Sequence, residues 1–320
     1  MLAARLVAPR RFELERIPLP APGVGQVRVR LDGCGVCASN LPVWSGRPWF
    51  SYPLAPGQLG HEGWGTVEAL GAGVDQRWLG RRVATLSDRS FAEFDSVAVD
   101  DLIPLPAMAP DLAPLEPFGC VFNVFDRARI APGNVVAVIG LGFIGLGVAR
   151  LAAQAEARVL AVSSNPQALA VARQFGAEVV KLDDRNEARG AVDALTGGRG
   201  CDVVVECTGH QLPLDLAGDV VAEGGRLAIA GFHQDGTRSV DLQQWNWKGI
   251  DVINAHERSR ARIKRGMMLA AEALAADHAW AKVFVTHRLP LSRIGEALEQ
   301  ASERPVGYIK GAVLSGSGEA

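Results

Sequence analysis

Two residues in the first fifth of the chain have side chains that bind transition metals well. Cys37 lies in the segment GCGVCASN and His61 in GHEGWGTVEALGAGV. Thiolate and imidazole are good zinc ligands, and catalytic zinc takes three protein ligands and leaves a fourth position open. The segment LEPFGC offers Glu116 or Cys120 as the third ligand, and Glu62 is a candidate for transient ligation or for orienting a ligand. Spacing alone also fits a buried core cysteine and a histidine with an ordinary hydrogen bond.

A dinucleotide fingerprint, GLGFIG, begins about eighty residues after His61. Gly140 permits a tight turn, Gly142 lets a pyrophosphate approach the backbone, and Gly145 lets helix and strand pack closely. Phe143 and Ile144 complete the loop, whose N–H groups face the phosphates at a helix N-terminus. The apolar run NVVAVIG before it and the alanine-rich helical pattern after it provide the expected strand and helix. We therefore predict a site for NAD or NADP.

The end of the next strand indicates which of the two cofactors fits better. An acid there would hold the ribose 2′-hydroxyl of NAD, but the sequence places Ser163, Ser164 and Asn165 in this region. No carboxylate is present to repel a 2′-phosphate, and the hydroxyl and amide groups could donate to one, which favours NADP(H) over NAD(H). The alternative is that Ser-Ser-Asn-Pro serves only as a helix start. Thr208 and Gly231, at the ends of later strands, are further candidates for cofactor binding.

Composition and charge exclude several other classes of protein. The chain has 320 residues and a net charge of −2, with Lys and Arg spread along it, so neither a nucleic-acid surface nor a polybasic membrane patch is expected. Gly, Pro or charge breaks every apolar stretch before it reaches membrane-spanning length, and the first twenty residues have no apolar stretch of signal-peptide length. Five cysteines without a paired framework favour a reducing, cytoplasmic compartment.

The pattern of elements predicts a two-domain α/β protein. Residues 1–118 read as short strands such as QVRVRLDG, GWGTVEAL and SFAEFDSVAV, separated by Gly- and Pro-rich turns. Residues 119–254 alternate buried strands with helices, which indicates right-handed βαβ units and a doubly wound parallel sheet. Residues 255–320 return to mixed structure, with a strand VFVTHRL, a helix SRIGEALEQASE and a last strand YIKGAVL.

The chain resembles the zinc-dependent medium-chain dehydrogenase/reductase superfamily of alcohol, sorbitol and threonine dehydrogenases. Six segments carry the resemblance: GCGVCASN, GHEGWGTVEALGAGV, LEPF, GLGFIG, ECTG and YIKGAVL. They follow the family order across nearly the whole chain. The resemblance implies a GroES-like catalytic domain formed by both chain ends, with a Rossmann domain inserted between them. It also implies catalytic zinc on Cys37, His61 and Glu116, and it matches Lys310 to a basic residue near the pyrophosphate.

Three departures from the family pattern have consequences. Only TLSDRS fills the place of the four-cysteine lobe that binds structural zinc, so we expect one catalytic zinc and no structural zinc. The aspartate that supports the liganding histidine in the family is Asn40 here, which can form a hydrogen bond there but brings no charge. Leu41 and Pro42 follow, so the histidine through which some relatives relay the proton is absent.

The resemblance implies hydride transfer between an alcohol or polyol, or the matching carbonyl, and NAD(P). Zinc would lower the pKa of the alcohol, and Ser39 would accept the hydroxyl proton. The expected partners are a small-molecule substrate and one or three further copies of the chain, joined through the sheet edge GIDVINA. Two alternatives stay open: a zinc-free quinone or enoyl reductase of the same fold, and a non-catalytic nucleotide-binding protein.

Overall fold

The computed structural model describes residues 1–316, which fold into two compact units. One unit contains residues 1–119 and 267–316, and the other contains Cys120–Gly266. The sequence placed the divisions after residues 118 and 254. In the structure the second division lies after residue 266, so residues 255–266 belong to the second unit.

In chain order the strands are β1 (Leu2–Ala8), β2 (Arg11–Arg16), β3 (Gln26–Val36), β4 (Gly63–Leu70), β5 (Arg82–Thr85), β6 (Phe94–Ala98), β7 (Leu102–Pro104), β8 (Val135–Ile139), β9 (Arg158–Ser163), β10 (Glu178–Lys181), β11 (Cys201–Glu206), β12 (Val221–Ile229), β13 (Asp251–Asn254), β14 (His287–Pro290) and β15 (Gly311–Leu314). The helices are α1 (Leu41–Ser45), α2 (Leu115–Ala128), α3 (Phe143–Gln154), α4 (Pro166–Gln174), α5 (Arg185–Thr196), α6 (Gln211–Val220), α7 (Leu242–Lys248), α8 (Arg260–Ala276), α9 (Ala279–Phe284) and α10 (Ile294–Glu303).

The first unit is built on a seven-stranded mixed sheet beside the antiparallel pair β1–β2. Its strand order is β14-β15-β3-β4-β5-β7, and β6 pairs with β3. The alternation in QVRVRL puts Val27, Val29 and Leu31 in the core while the arginines between them face outward. Strand β15, near the end of the chain, pairs antiparallel with β3, which is how both ends of the sequence join one domain.

The second unit contains a parallel six-stranded sheet in the order β10-β9-β8-β11-β12-β13. Apolar runs such as VVAVI and RVLAVS are buried along their length, as expected for strands covered by helices on both faces. Strand β13 lies at one edge of this sheet, within the predicted edge segment GIDVINA. The predicted α/β class, with a GroES-like unit and a Rossmann-type unit, is confirmed.

The predicted strand VFVTHRL is only partly correct. Its first residues finish helix α9, where Phe284 packs on Trp280 and Phe118, and the strand begins at His287. A short apolar run fits either element, and packing decided it here.

Among the described residues, no helix combines the length and the apolar character needed to cross a membrane.

Candidate metal and cofactor sites

The pairing of β3 with β4 brings Cys37 and His61 together. The two strands run antiparallel, with Cys34 opposite Gly63, so the residue that leaves β3 and the residue that enters β4 lie at the same end of the sheet. Ligand atoms of Cys37, His61 and Glu62 all lie within 4.8 Å of one another. Residues far apart in sequence thus form one cluster, and this cluster lies wholly within the first unit.

The chain turns sharply at Cys37, which precedes a short 3₁₀ helix, Ala38–Asn40. The backbone N–H of Ser39 donates to Cys37 Sγ at 3.5 Å. The hydroxyl of Ser39 lies 3.5 Å from His61 Nε2 and is exposed, so it can exchange protons with water beside the cluster. The predicted relay residue therefore lies next to two predicted ligands.

The pKa of His61 reports the electrostatics of this cluster. Burial lowers it, but the hydrogen bond and the charge of Cys37, together with Glu62 and Glu116, outweigh burial and raise the pKa to about 10. The groups that surround His61 thus favour a cation at this position. Glu116 lies outside the three-residue cluster, in the first turn of α2, and its charge nevertheless reaches His61.

Lys310 forms a buried ion pair beside the metal cluster. Its side chain is 6% exposed, and Nζ lies 2.8 Å from both carboxylate oxygens of Glu62 and 3.2 Å from the carbonyl of Val36. Burial opposes the charge of Lys310, but Glu62 and Cys37 outweigh it and raise its pKa above the usual value. The ammonium group of Lys310 is thus held by a buried carboxylate, and its predicted contact with the pyrophosphate stays a prediction.

Asn40 also makes different contacts from those the resemblance implies. It is 2% exposed, and its Nδ2 donates to the carbonyl of Leu59 at 2.8 Å. The same carbonyl lies 2.9 Å from His61 Nδ1. Asn40 therefore reaches the histidine through a backbone oxygen, a connection with no signal in the sequence.

The cluster fits the chemistry of zinc. A thiolate, an imidazole and carboxylates form a donor set that zinc uses in catalytic sites. His61 Nδ1 is hydrogen-bonded to the carbonyl of Leu59, and Nε2 faces Cys37 and Ser39. A hydrogen-bonded far nitrogen is the usual arrangement of a metal-binding histidine.

The second unit contains the predicted phosphate loop between β8 and α3. Gly140 has φ +92°, a left-handed conformation that favours glycine, and a Cβ on Gly145 would lie 1.9 Å from the carbonyl oxygen of Gly140. Gly142 precedes α3 and has no side chain to cap it, while Phe143 and Ile144 start the helix. No side chain at residue 142 therefore accepts the first N–H groups of α3. These groups are left to bind a phosphate, as a phosphate site requires.

The segment after β9 serves the start of α4. The side chain of Asn165 accepts the N–H groups of Gln167 and Ala168, and Ser163 Oγ accepts that of Asn165. The helix start that the sequence offered as an alternative is therefore present, and Ser164 is exposed beside it.

A buried network at the ends of β11 and β12 was missed by sequence reasoning. Glu206 Oε1 accepts the N–H groups of Thr208 and Gly209, and His233 Nε2 lies 3.0 Å from Glu206 Oε2. Arg238 donates to His233 and to the carbonyl of Gly209. The network joins the two loops in which Thr208 and Gly231 were predicted to contact the cofactor. The buried glutamate of ECTG was the only sequence signal.

Two family models match the chain. Residues 23–104 match the alcohol dehydrogenase GroES-like domain, and residues 144–272 match the zinc-binding dehydrogenase domain. L-galactonate-5-dehydrogenase of Escherichia coli K12 is 26% identical over 337 residues, covering 95% of this chain and 96% of the relative.

Sorbitol dehydrogenase of Ovis aries is 29% identical over 332 residues, covering 92% of this chain and 91% of the relative. This chain belongs to the zinc-dependent medium-chain dehydrogenase/reductase superfamily. The crystal structure of 2R,3R-butanediol dehydrogenase from Bacillus subtilis, 23% identical, superimposes with a TM-score of 0.85 over 98% of this chain and 99% of that one. At that identity the superposition supports the fold alone.

Proposed function

We propose that this protein is a zinc-dependent, NAD(P)-linked dehydrogenase that acts on the CH–OH group of an alcohol or polyol. The observation that carries the proposal is the cluster of Cys37, His61 and Glu62 beside the hydroxyl of Ser39. The polyol assignment comes from the relatives, which include sorbitol and L-galactonate-5-dehydrogenases.

The residues of the cluster and its neighbours have separate proposed roles. Cys37, His61 and Glu116 bind the zinc. Glu62, whose carboxylate is paired with Lys310, binds the zinc transiently or orients one of its ligands. When bound, zinc acts as a Lewis acid on the substrate oxygen, and the nicotinamide exchanges the hydride. Ser39 transfers a proton between the substrate oxygen and water, since its hydroxyl is exposed and adjacent to His61.

We further propose that NADP(H) is the preferred cofactor and that one zinc is bound per chain. The cofactor proposal rests on the absence of a carboxylate at residues 163–165 and on the exposed Ser164. The single zinc is supported by the short connection from β5 to β6, which leaves no room for a cysteine-rich lobe.

We also propose that the chain forms a homo-oligomer through the sheet edge at β13. Val252 in this strand is 43% exposed, and Trp247 and Leu242 in α7 are 87% and 68% exposed. The outer edge of an edge strand, next to exposed apolar side chains, is a surface that native proteins usually cover.

A substrate screen with metal removal tests the proposed function. Initial rates are measured for alcohols and polyols with NAD⁺ and NADP⁺, before chelation, after chelation and after zinc is added back. We expect turnover that is lost on chelation and restored by zinc. Carbonyls, quinones and activated alkenes are assayed in parallel with NADH and NADPH. Reduction of quinones or activated alkenes that persists in zinc-free protein, without turnover of any alcohol, would indicate the zinc-free reductase. Cofactor binding without turnover of any of these substrates would indicate a non-catalytic protein.

A further inference from the structure

The amide of Asn40 lies between two backbone groups of the metal cluster. Its Oδ1 accepts the N–H of Cys37 at 3.1 Å, and its Nδ2 donates to the carbonyl of Leu59 at 2.8 Å. One partner can only donate and the other can only accept, so the orientation of the amide is fixed. Asn40 thus connects the segments that carry the two predicted ligands Cys37 and His61.

The Leu59 carbonyl has a second donor, Nδ1 of His61, at 2.9 Å. A carbonyl oxygen only accepts, so Nδ1 of the histidine carries its proton and, in the neutral ring, the lone pair is on Nε2. The backbone of Leu59 has φ +84°, a left-handed conformation that is unfavourable for a residue with a side chain. Its hydrogen bonds to Asn40 and His61 offset this cost and fix the direction of the carbonyl.

We propose that Asn40 is a positioning residue that orients His61 through the Leu59 carbonyl, and that the site needs a hydrogen-bond donor at residue 40. This rests on the proposed function in one respect, namely that His61 binds the metal. An aspartate, the residue the family resemblance implies, would bring a carboxylate oxygen instead of an N–H to within 2.8 Å of the carbonyl oxygen. Two acceptors in contact repel, so restoring the family residue weakens this site.

The test compares wild type with Asn40→Asp, Asn40→Ala and the exposed control Asn186→Asp, all as full chains. Zinc affinity is measured by competition with a chromophoric chelator, and the absorption bands of the cobalt-loaded protein report the ligand geometry. Loss of an outer contact to a metal ligand usually costs about 10–100-fold in metal affinity. We expect a loss of this size for both Asn40 variants, with shifted cobalt bands, and no change for the control.

Zinc affinity in Asn40→Asp equal to or above that of wild type would overturn the proposal. Circular dichroism of the zinc-free variants separates this effect from loss of folding. If the variants fail to fold, ¹⁵N-histidine NMR of the zinc-loaded wild type provides the test. We expect a His61 with protonated Nδ1 and metal-bound Nε2, and a metal-bound Nδ1 would overturn the proposal.

The result is independent of turnover. A wild type that binds zinc but oxidises no alcohol would refute the dehydrogenase and leave the role of Asn40 intact. An active enzyme whose Asn40→Asp variant keeps full zinc affinity would refute the positioning role alone.

Discussion

Replacing Lys310 by methionine distinguishes its observed role from the one the sequence implied. The side chain of Glu62 is 0% exposed, and the ammonium of Lys310 lies 2.8 Å from both of its oxygens. The substitution keeps the apolar stem and removes the charge that contacts the carboxylate directly, so that within the cluster only His61 is left to compensate Glu62.

Removing one partner of a buried ion pair costs about 3–5 kcal/mol, because the remaining charge is uncompensated. At roughly 2–4 °C per kcal/mol for a domain of the size of the first unit, the midpoint of its thermal unfolding falls by about 10 °C. The assay is thermal and urea unfolding of the zinc-free protein, followed by tryptophan fluorescence. Two controls bracket the effect: Lys310→Arg keeps the charge, and the double variant Glu62→Gln/Lys310→Met removes both charges and should recover most of the loss.

A phosphate-binding lysine predicts the opposite result. Stability would change by less than about 1 kcal/mol, as for an ordinary exposed side chain, and the KM for the dinucleotide would rise. Lys310→Met with wild-type stability and a raised cofactor KM would therefore refute the buried ion pair.

Three further predictions concern the second unit. The N–H of Ser259, with Arg262 and the N–H of Arg258, outweighs burial and lowers the pKa of Glu257 from 4.5 to about 2, so the associated stability is present above pH 4.5 and is lost as the pH falls towards 2. Glu257→Gln should flatten the fall in unfolding free energy over that window, and an unchanged slope would contradict this. Ser164→Asp should raise the KM for NADP⁺ about tenfold or more and leave the KM for NAD⁺ unchanged, in steady-state kinetics with both cofactors; equal effects on both would exclude a 2′-phosphate contact. Trp247→Asp should convert the oligomer to monomer in light scattering, and an unchanged mass would place the interface elsewhere.

The sequence predicted the parts of the molecule that depend on local pattern. The alternation in QVRVRL, the apolar run before GLGFIG and the alanine-rich segment after it indicated β3, β8 and α3. Cys37 and His61 were paired on their ligand chemistry and on the family resemblance, and the pairing of β3 with β4 is the reason that their segments meet.

Other features depend on contacts between distant segments and could not be predicted. Lys310 lies 248 positions from Glu62, and only the pairing of β15 with β3 brings them together. The Leu59 carbonyl is a backbone group, so its role between Asn40 and His61 leaves no trace in residue types. The start of β14 was predicted too early, because aromatic packing extends α9 to Phe284, inside the apolar run that was read as a strand.

X-ray absorption spectroscopy of the zinc-loaded protein, combined with metal analysis of wild type and Cys37→Ser, tests most directly whether these side chains hold one catalytic zinc. We predict one zinc per chain with a single sulfur ligand at about 2.3 Å and the remaining ligands nitrogen or oxygen at roughly 2.0–2.2 Å. The sulfur signal should disappear in Cys37→Ser. Zinc with no sulfur ligand, or a sulfur ligand that persists in Cys37→Ser, would contradict the proposed site.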